Sequence, residues 1–141
     1  MHKVALVYLE EIENEYQIEM IDAAKEGEYY KVASTPFFAK HLAVGDLIAV
    51  EDEEGVHYFD DLVGKSGHST IRIIFIDETI TDRTLKEVCD LGAIPHFLPA
   101  TVKLVALDIP PGIDYSPIQA YLMEGKNNHS WDFEEACLGW K

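Results

Sequence analysis

In Lys65-Ser66-Gly67-His68-Ser69-Thr70-Ile71-Arg72-Ile73-Ile74-Phe75-Ile76 a small polar turn runs directly into the most apolar segment of the chain. Residues 70–76 are short, apolar and rich in β-branched side chains, which predicts a core strand. Arg72 interrupts the run. A guanidinium is costly to bury unpaired, so this strand has either a wet face or a partner for Arg72. The segment lies near the middle of a chain of 141 residues, and both halves have to pack around it.

On its C-terminal side, residues 77–81 cap a helix over residues 83–91. There Leu85, Val88 and Leu91 recur at helical spacing, and Gly92 stands where a helix stops. Residues 94–98 read as a short extended piece bounded by Pro95 and Pro99. Residues 102–109 read as a second strong strand, which Pro110-Pro111-Gly112 ends. Asp114 caps a second helix over residues 116–123, with Ile118 and Leu122 turned inward. Residues 131–138 read as a short C-terminal helix offering Trp131, Phe133, Cys137 and Trp140 for burial. This strand, helix, strand, helix order predicts a ferredoxin-like β-α-β-α half.

On the N-terminal side the pattern is strands alone, over residues 3–9, 16–21, 29–33, 47–50 and 56–59. The second alternates, with Tyr16, Ile18 and Met20 on one side and Gln17 and Glu19 on the other, as a half-buried antiparallel strand does. Gly27 and Gly45-Asp46 mark turns, and residues 51–55 form an acidic hairpin loop. Pro36 ends a strand, and Phe37 and Phe38 follow as an apolar plug expected in the core. Short strands separated by turns predict a small antiparallel sheet that curls into a barrel-like unit. The fold class is therefore α+β, with a β-rich acidic lobe over residues 1–66 and an α+β lobe over residues 67–141, packed as one compact unit.

Composition bounds the function. Apolar residues make up 48 % of the chain, enough for a packed core. The N-terminus carries no charged segment followed by a long apolar one, and apolar runs such as residues 73–76 are far too short to span a bilayer. A soluble, cytosolic protein is the expectation. Cys89 and Cys137 show no CxxC spacing and are expected as two buried thiols. The formal net charge is −15, distributed unevenly: residues 1–61 hold 15 acids against four lysines, and residues 62–141 hold 11 acids against seven Lys or Arg. Such a field repels phosphate backbones and argues against nucleic acid as a partner. It attracts a basic protein. The expected binding carboxylates are Glu51, Asp52, Glu53 and Glu54 with Asp60 and Asp61, although the same charges also serve plain solubility.

One constellation has reactive potential: His68 with Ser66, Ser69, Thr70 and Arg72. An imidazole acts as acid or base near neutral pH, and hydroxyls beside it donate to an anion. His68-Ser69-Thr70 has the form of the His-x-Thr element of certain phosphoesterases. Those enzymes need a second copy, and His41, His57, His96 and His129 are not followed by a hydroxyl two residues on. The structural alternative is that Gly67 makes a turn, His68 bonds neighbouring backbone and the hydroxyls satisfy the start of a strand. No histidine pair has a helical metal-ligand spacing, and His57 and His68 meet only if their strands are adjacent. There is no glycine-rich phosphate loop and no GxSxG turn, so no cofactor is expected.

The segments Thr35-Pro36-Phe37-Phe38-Ala39, Gly45-Asp46-Leu47-Ile48, Ser66-Gly67-His68-Ser69-Thr70-Ile71-Arg72, Leu107-Asp108-Ile109-Pro110 and Trp131-Asp132-Phe133-Glu134-Glu135-Ala136-Cys137 together resemble a family of small bacterial proteins grouped as a domain of unknown function. That resemblance implies no activity and transfers no catalytic residue. Charge, size and the missing catalytic motifs favour a non-enzymatic binding protein that engages a basic partner, in one form an immunity-type inhibitor of a nuclease toxin. The alternative is a small enzyme or anion-binding module centred on His68 and Arg72.

Overall fold

The computed structural model describes residues 1–98 and 103–140; Pro99 and the expected strand start at Val102 lie outside the described residues. The architecture is α+β: a closed five-stranded barrel followed by a four-stranded sheet with two helices.

The barrel comprises β1 (His2–Glu10), β2 (Glu15–Glu26), β3 (Tyr29–Val32), β4 (Leu47–Glu53) and β5 (Val56–Gly64). Neighbours pair antiparallel, and a short parallel ladder of Val4 with His57 and Ala5 with Tyr58 closes the ring. The β4–β5 turn is only Glu54-Gly55, both at positive φ (53° and 83°), as a tight hairpin with the strands' own twist requires. Glu51, Asp52 and Glu53 therefore belong to β4 and not to the acidic loop expected from their charge. The backbone pairing of a hairpin continues wherever the turn permits it, whatever the side-chain polarity.

The second correction concerns β2. Its alternation is present, but the faces are reversed. Glu19 lies across from Leu6, which is in the barrel core with Val4, Ile21, Ala23, Val32 and Ile48. Tyr16, Ile18 and Met20 lie on the outer face and are 76 %, 55 % and 49 % exposed. The cause is a stronger demand for an acceptor inside than for apolar area: the Glu19 carboxylate takes the backbone N–H groups of Phe37 (2.6 Å), Phe38 (3.1 Å) and Ala39 (3.0 Å).

The sheet comprises β6 (Ser69–Phe75), β7 (Ile94–Phe97), β8 (Leu104–Ile109) and β9 (Trp131–Cys137) in the order β7-β8-β6-β9, every pair antiparallel. Helices α1 (Thr81–Asp90) and α2 (Ser116–Asn127) cover one face. Ile71, Ile73 and Phe75 of β6 meet Leu85 and Val88 of α1 and Ile118 and Leu122 of α2 in the core, each burial stabilising by roughly 1.5–3 kcal/mol. The Asp114 carboxylate accepts from Ser116 N–H (3.0 Å) at the start of α2. Gly125 has no room for a side chain, because a Cβ there would sit 1.9 Å from the Trp131 ring.

The expected C-terminal helix is strand β9. Residues 131–134 alternate Trp, Asp, Phe, Glu, so Trp131 joins the helix-side core and Phe133 packs against it while Asp132 and Glu134 face the other way, a period of two that fits a strand. The half is thus β-α-β-β-α-β and not strand, helix, strand, helix. Trp140, expected to be buried, is 60 % exposed. Cys89 is exposed and only Cys137 is buried: Thr84, Leu85 and Val88 form the buried stripe of α1, and Cys89 falls at its margin.

Candidate functional site

Residues 33–46 join β3 to β4 without forming a strand, yet Thr35, Ala39, Leu42, Ala43 and Asp46 are buried. The segment is wedged between the barrel and the uncovered face of the sheet. Buried backbone without a ladder still needs hydrogen-bond partners, and side chains from both sides supply them. Arg72 donates from Nη1 to the carbonyl of Phe38 (3.0 Å) and from Nη2 to that of Ala39, and its Nη1 also pairs with Glu134 (2.8 Å). Thr70 donates to the carbonyl of Leu42 (3.0 Å). His41 N–H reaches the carbonyl of Ala136 (2.8 Å). Asp46 accepts from Ala43 N–H (3.0 Å) and Ser66 N–H (2.9 Å), and Ser66 Oγ donates to the carbonyl of Val44 (2.8 Å).

The constellation singled out in the sequence is distributed along this seam. Ser66, Thr70 and Arg72 hold the wedged segment, and Ser69 Oγ accepts from Gly139 N–H (2.9 Å). His68 donates its backbone N–H to Ser66 Oγ (3.1 Å) and sets its ring nitrogen Nδ1 against the carboxylate of Asp108 (2.7 Å). That carboxylate is 8 % exposed and the His68 side chain 26 %. Arg72 is 4 % exposed, and burial lowers its pKa while Glu134 opposes the shift. Asp108, Glu19 and Asp46 were not singled out in the sequence, because an isolated acid gives no local signal of which distant group it will meet.

The acidic positions lie elsewhere, on the barrel. Glu51, Asp52, Glu53 and Glu54 and then Asp60 and Asp61 are exposed. Asp52 pairs with His57 Nδ1, so His57 is engaged within the β4–β5 hairpin, and the His57–His68 meeting does not occur. Among the described residues no three His, Cys, Asp or Glu side chains are placed to hold a metal ion, and no helix is long and apolar enough to cross a membrane.

Two concave regions flank the outer half of the β1–β2 hairpin. A cleft of about 460 Å³ follows β1 from Leu6 to Leu9 and is walled by Leu42, Phe59 and Leu62. A groove of about 680 Å³ runs between the hairpin tip and the sheet, past Phe38, Ile74 and Phe133. Phe38, expected in the core, is 39 % exposed and stacks on Tyr8 with ring centroids 5.6 Å apart. It forms the wall common to both regions.

The family profile described as Domain of unknown function (DUF4265) matches residues 19–133, which is most of the chain. The protein belongs to this family. The fold is similar to a crystal structure titled as that of a hypothetical protein from Neisseria gonorrhoeae, with a TM-score of 0.89 at 24 % identity over 99 % of this chain and 96 % of that one. No curated protein matches.

Proposed function

We propose that this member of the family is a non-enzymatic binding protein whose acidic barrel engages a basic protein partner. The observation that carries the reading is the outer face of the β1–β2 hairpin. Val7, Leu9, Tyr16, Ile18 and Met20 are 44–76 % exposed there, and Glu10, Glu11, Glu13 and Glu15 surround the hairpin tip. An apolar patch rimmed by charge is the composition of a protein interface, and a charged rim speeds association with an opposite partner.

A specific form of the reading is an immunity-type inhibitor that covers the basic active site of a nuclease toxin in the cytoplasm. Residues 1–66 act as the acidic lobe and residues 67–141 as its support. The β-α-β-β-α-β order and the β7-β8-β6-β9 arrangement support a ferredoxin-like description of that second lobe. Neither nucleic acid nor membrane is a partner in this reading, since both present anionic surfaces to a chain of net charge −15.

The test is affinity capture on immobilised wild-type protein beside an Ile18→Asp column. The expected result is a basic protein retained by the first, lost from the second, and released as ionic strength rises. Retention of the same proteins by both columns, or complexes indifferent to salt, would overturn the reading.

A second reading has one observation in its favour. His68 is oriented by the buried Asp108 carboxylate, as a general base is held in one tautomer. A ligand-binding or catalytic role for His68 and Arg72 predicts that His68→Ala stays folded and loses binding of a small anion such as phosphate. A phosphate titration by NMR that leaves the wild-type His68 signals unmoved would remove it.

A further inference from the structure

The parallel ladder that closes the barrel is short. It pairs Val4 with His57 and Ala5 with Tyr58 and then stops, although β1 continues to Glu10 and β5 to Gly64. The reason lies in β5. Its register against β4 slips twice, leaving Asp60 and Val63 without a partner. Such bulges bend a strand away from its neighbour, and here they carry β5 off β1 just beyond the last shared pair.

The gap between the two strands is the cleft of about 460 Å³. Along residues 6–10, β1 pairs with β2 on one side only. In an antiparallel ladder alternate residues direct their N–H and C=O groups to the other side. Among the described residues no turn or loop hydrogen bond reaches that main chain. An unpaired edge of this kind is a template for another strand. The floor is apolar, from Leu6, Leu42, Phe59 and Leu62, and exposed Glu11 and Asp61 stand at the rim. Lys40, the cation beside them, is already neutralised by Glu11 (3.6 Å) and Glu134 (3.3 Å).

We propose that this cleft takes an extended segment of the partner as an added strand on β1. The segment is apolar at alternate positions, facing Leu42 and Leu62, and carries Lys or Arg between them to meet Glu11 and Asp61. Main-chain hydrogen bonds hold it and the alternate pockets select it. The inference rests on the basic-partner reading above and names the place and conformation of what binds.

The probe is a short acetylated peptide alternating valine and lysine, titrated into the isotope-labelled protein. Saturable shifts and slowed exchange of the residue 6–9 amides are expected. N-methylation of alternate peptide nitrogens, which deletes several main-chain donors without altering charge, should weaken binding about a hundredfold. Leu62→Arg should abolish it, and Ile18→Asp on the outer face should not. Equal binding of the N-methylated peptide, or shifts centred on Tyr16 and Ile18, would overturn the proposal and leave the basic-partner reading intact. A valine–glutamate peptide that binds as well, with the same response to N-methylation, would keep the strand site and overturn the basic occupant. Concentration-dependent dimerisation that protects the residue 6–9 amides would assign the cleft to a second copy of the chain and also overturn the proposal.

Discussion

The seam between the lobes and the outer face of the β1–β2 hairpin depart from the usual partition of side chains in opposite directions. The seam buries a guanidinium, the side chains of Thr35, Ser69 and Thr70, and two aspartates. The hairpin leaves valine, leucine, tyrosine, isoleucine and methionine in water. In the seam Ser66, Thr70, Arg72 and Asp46 answer to main-chain groups within residues 33–46, so the polarity there is the means by which an irregular segment is buried at all. On the hairpin no such demand exists, and exposed apolar area is stable only because the strand pairing beneath it is complete on one side. Polar inside is therefore a structural requirement in this molecule, while apolar outside is the feature on which the proposed binding role rests.

The largest expected contrast comes from substituting each region. Arg72→Met removes the donors to the carbonyls of Phe38 and Ala39 and leaves Glu134 paired only with Lys40 (3.3 Å). Main-chain carbonyls deprived of a charged donor cost about 1–3 kcal/mol each, which urea unfolding should register as a lower midpoint. Glu19→Ala leaves the N–H groups of Phe37, Phe38 and Ala39 without an acceptor, and about 2 kcal/mol should be lost in the same measurement. Ile18→Asp should shift stability by no more than about 0.5 kcal/mol while weakening the captured complex. A hairpin variant that unfolds as readily as Arg72→Met would break the distinction between the two regions.

Alkaline titration examines the helix side of the sheet. Burial, and then the bond to Glu87, push the Tyr121 hydroxyl up to about 12 from 10.0. A phenol raised in the fold contributes stability that is complete below its unfolded pKa and is lost as pH climbs through the folded value. Unfolding free energy should thus hold below pH 10 and fall between about 10 and 12, and Tyr121→Phe should flatten that fall. Spectrophotometric titration of tyrosinate absorbance, with Tyr115 also raised by burial and by Glu135, should show these phenols ionising late. The smallest effect concerns the thiols. Cys89 is exposed, whereas Cys137 is buried and its pKa is raised chiefly by desolvation. A thiol reagent should react rapidly with one and slowly with the other in the native state, and Cys89→Ser should remove the rapid phase.

The elements whose cause is local were legible in the sequence. Residues 70–76, the spacing of Leu85 with Val88, the Gly92 stop and the inward Ile118 and Leu122 all depend on neighbours a few positions away. Arg72 also announced a need for a partner, though not which one. What failed depended on distant groups. Glu19 faces inward because the N–H groups of residues 37–39 await it, and no periodicity in β2 encodes that. The acids of residues 131–137 resemble a solvated helix face, yet the free edge of β6 requires a strand there. Ser66, His68 and Arg72 stand together in the sequence, while the partners they take, Asp46, Asp108 and Glu134, lie 20 to 62 positions away.

That dependence bears on how the protein is made. β6 leaves the ribosome with neither of its sheet neighbours in existence, and β9 arrives only after every other strand and both helices have been translated. Until then Arg72 lacks Glu134 and His41 lacks the Ala136 carbonyl, so the connection between β3 and β4 has no settled resting place. A nascent chain stalled before residue 131 should be held by chaperones or digested, and its lifetime in the cell should lengthen abruptly once translation passes Cys137.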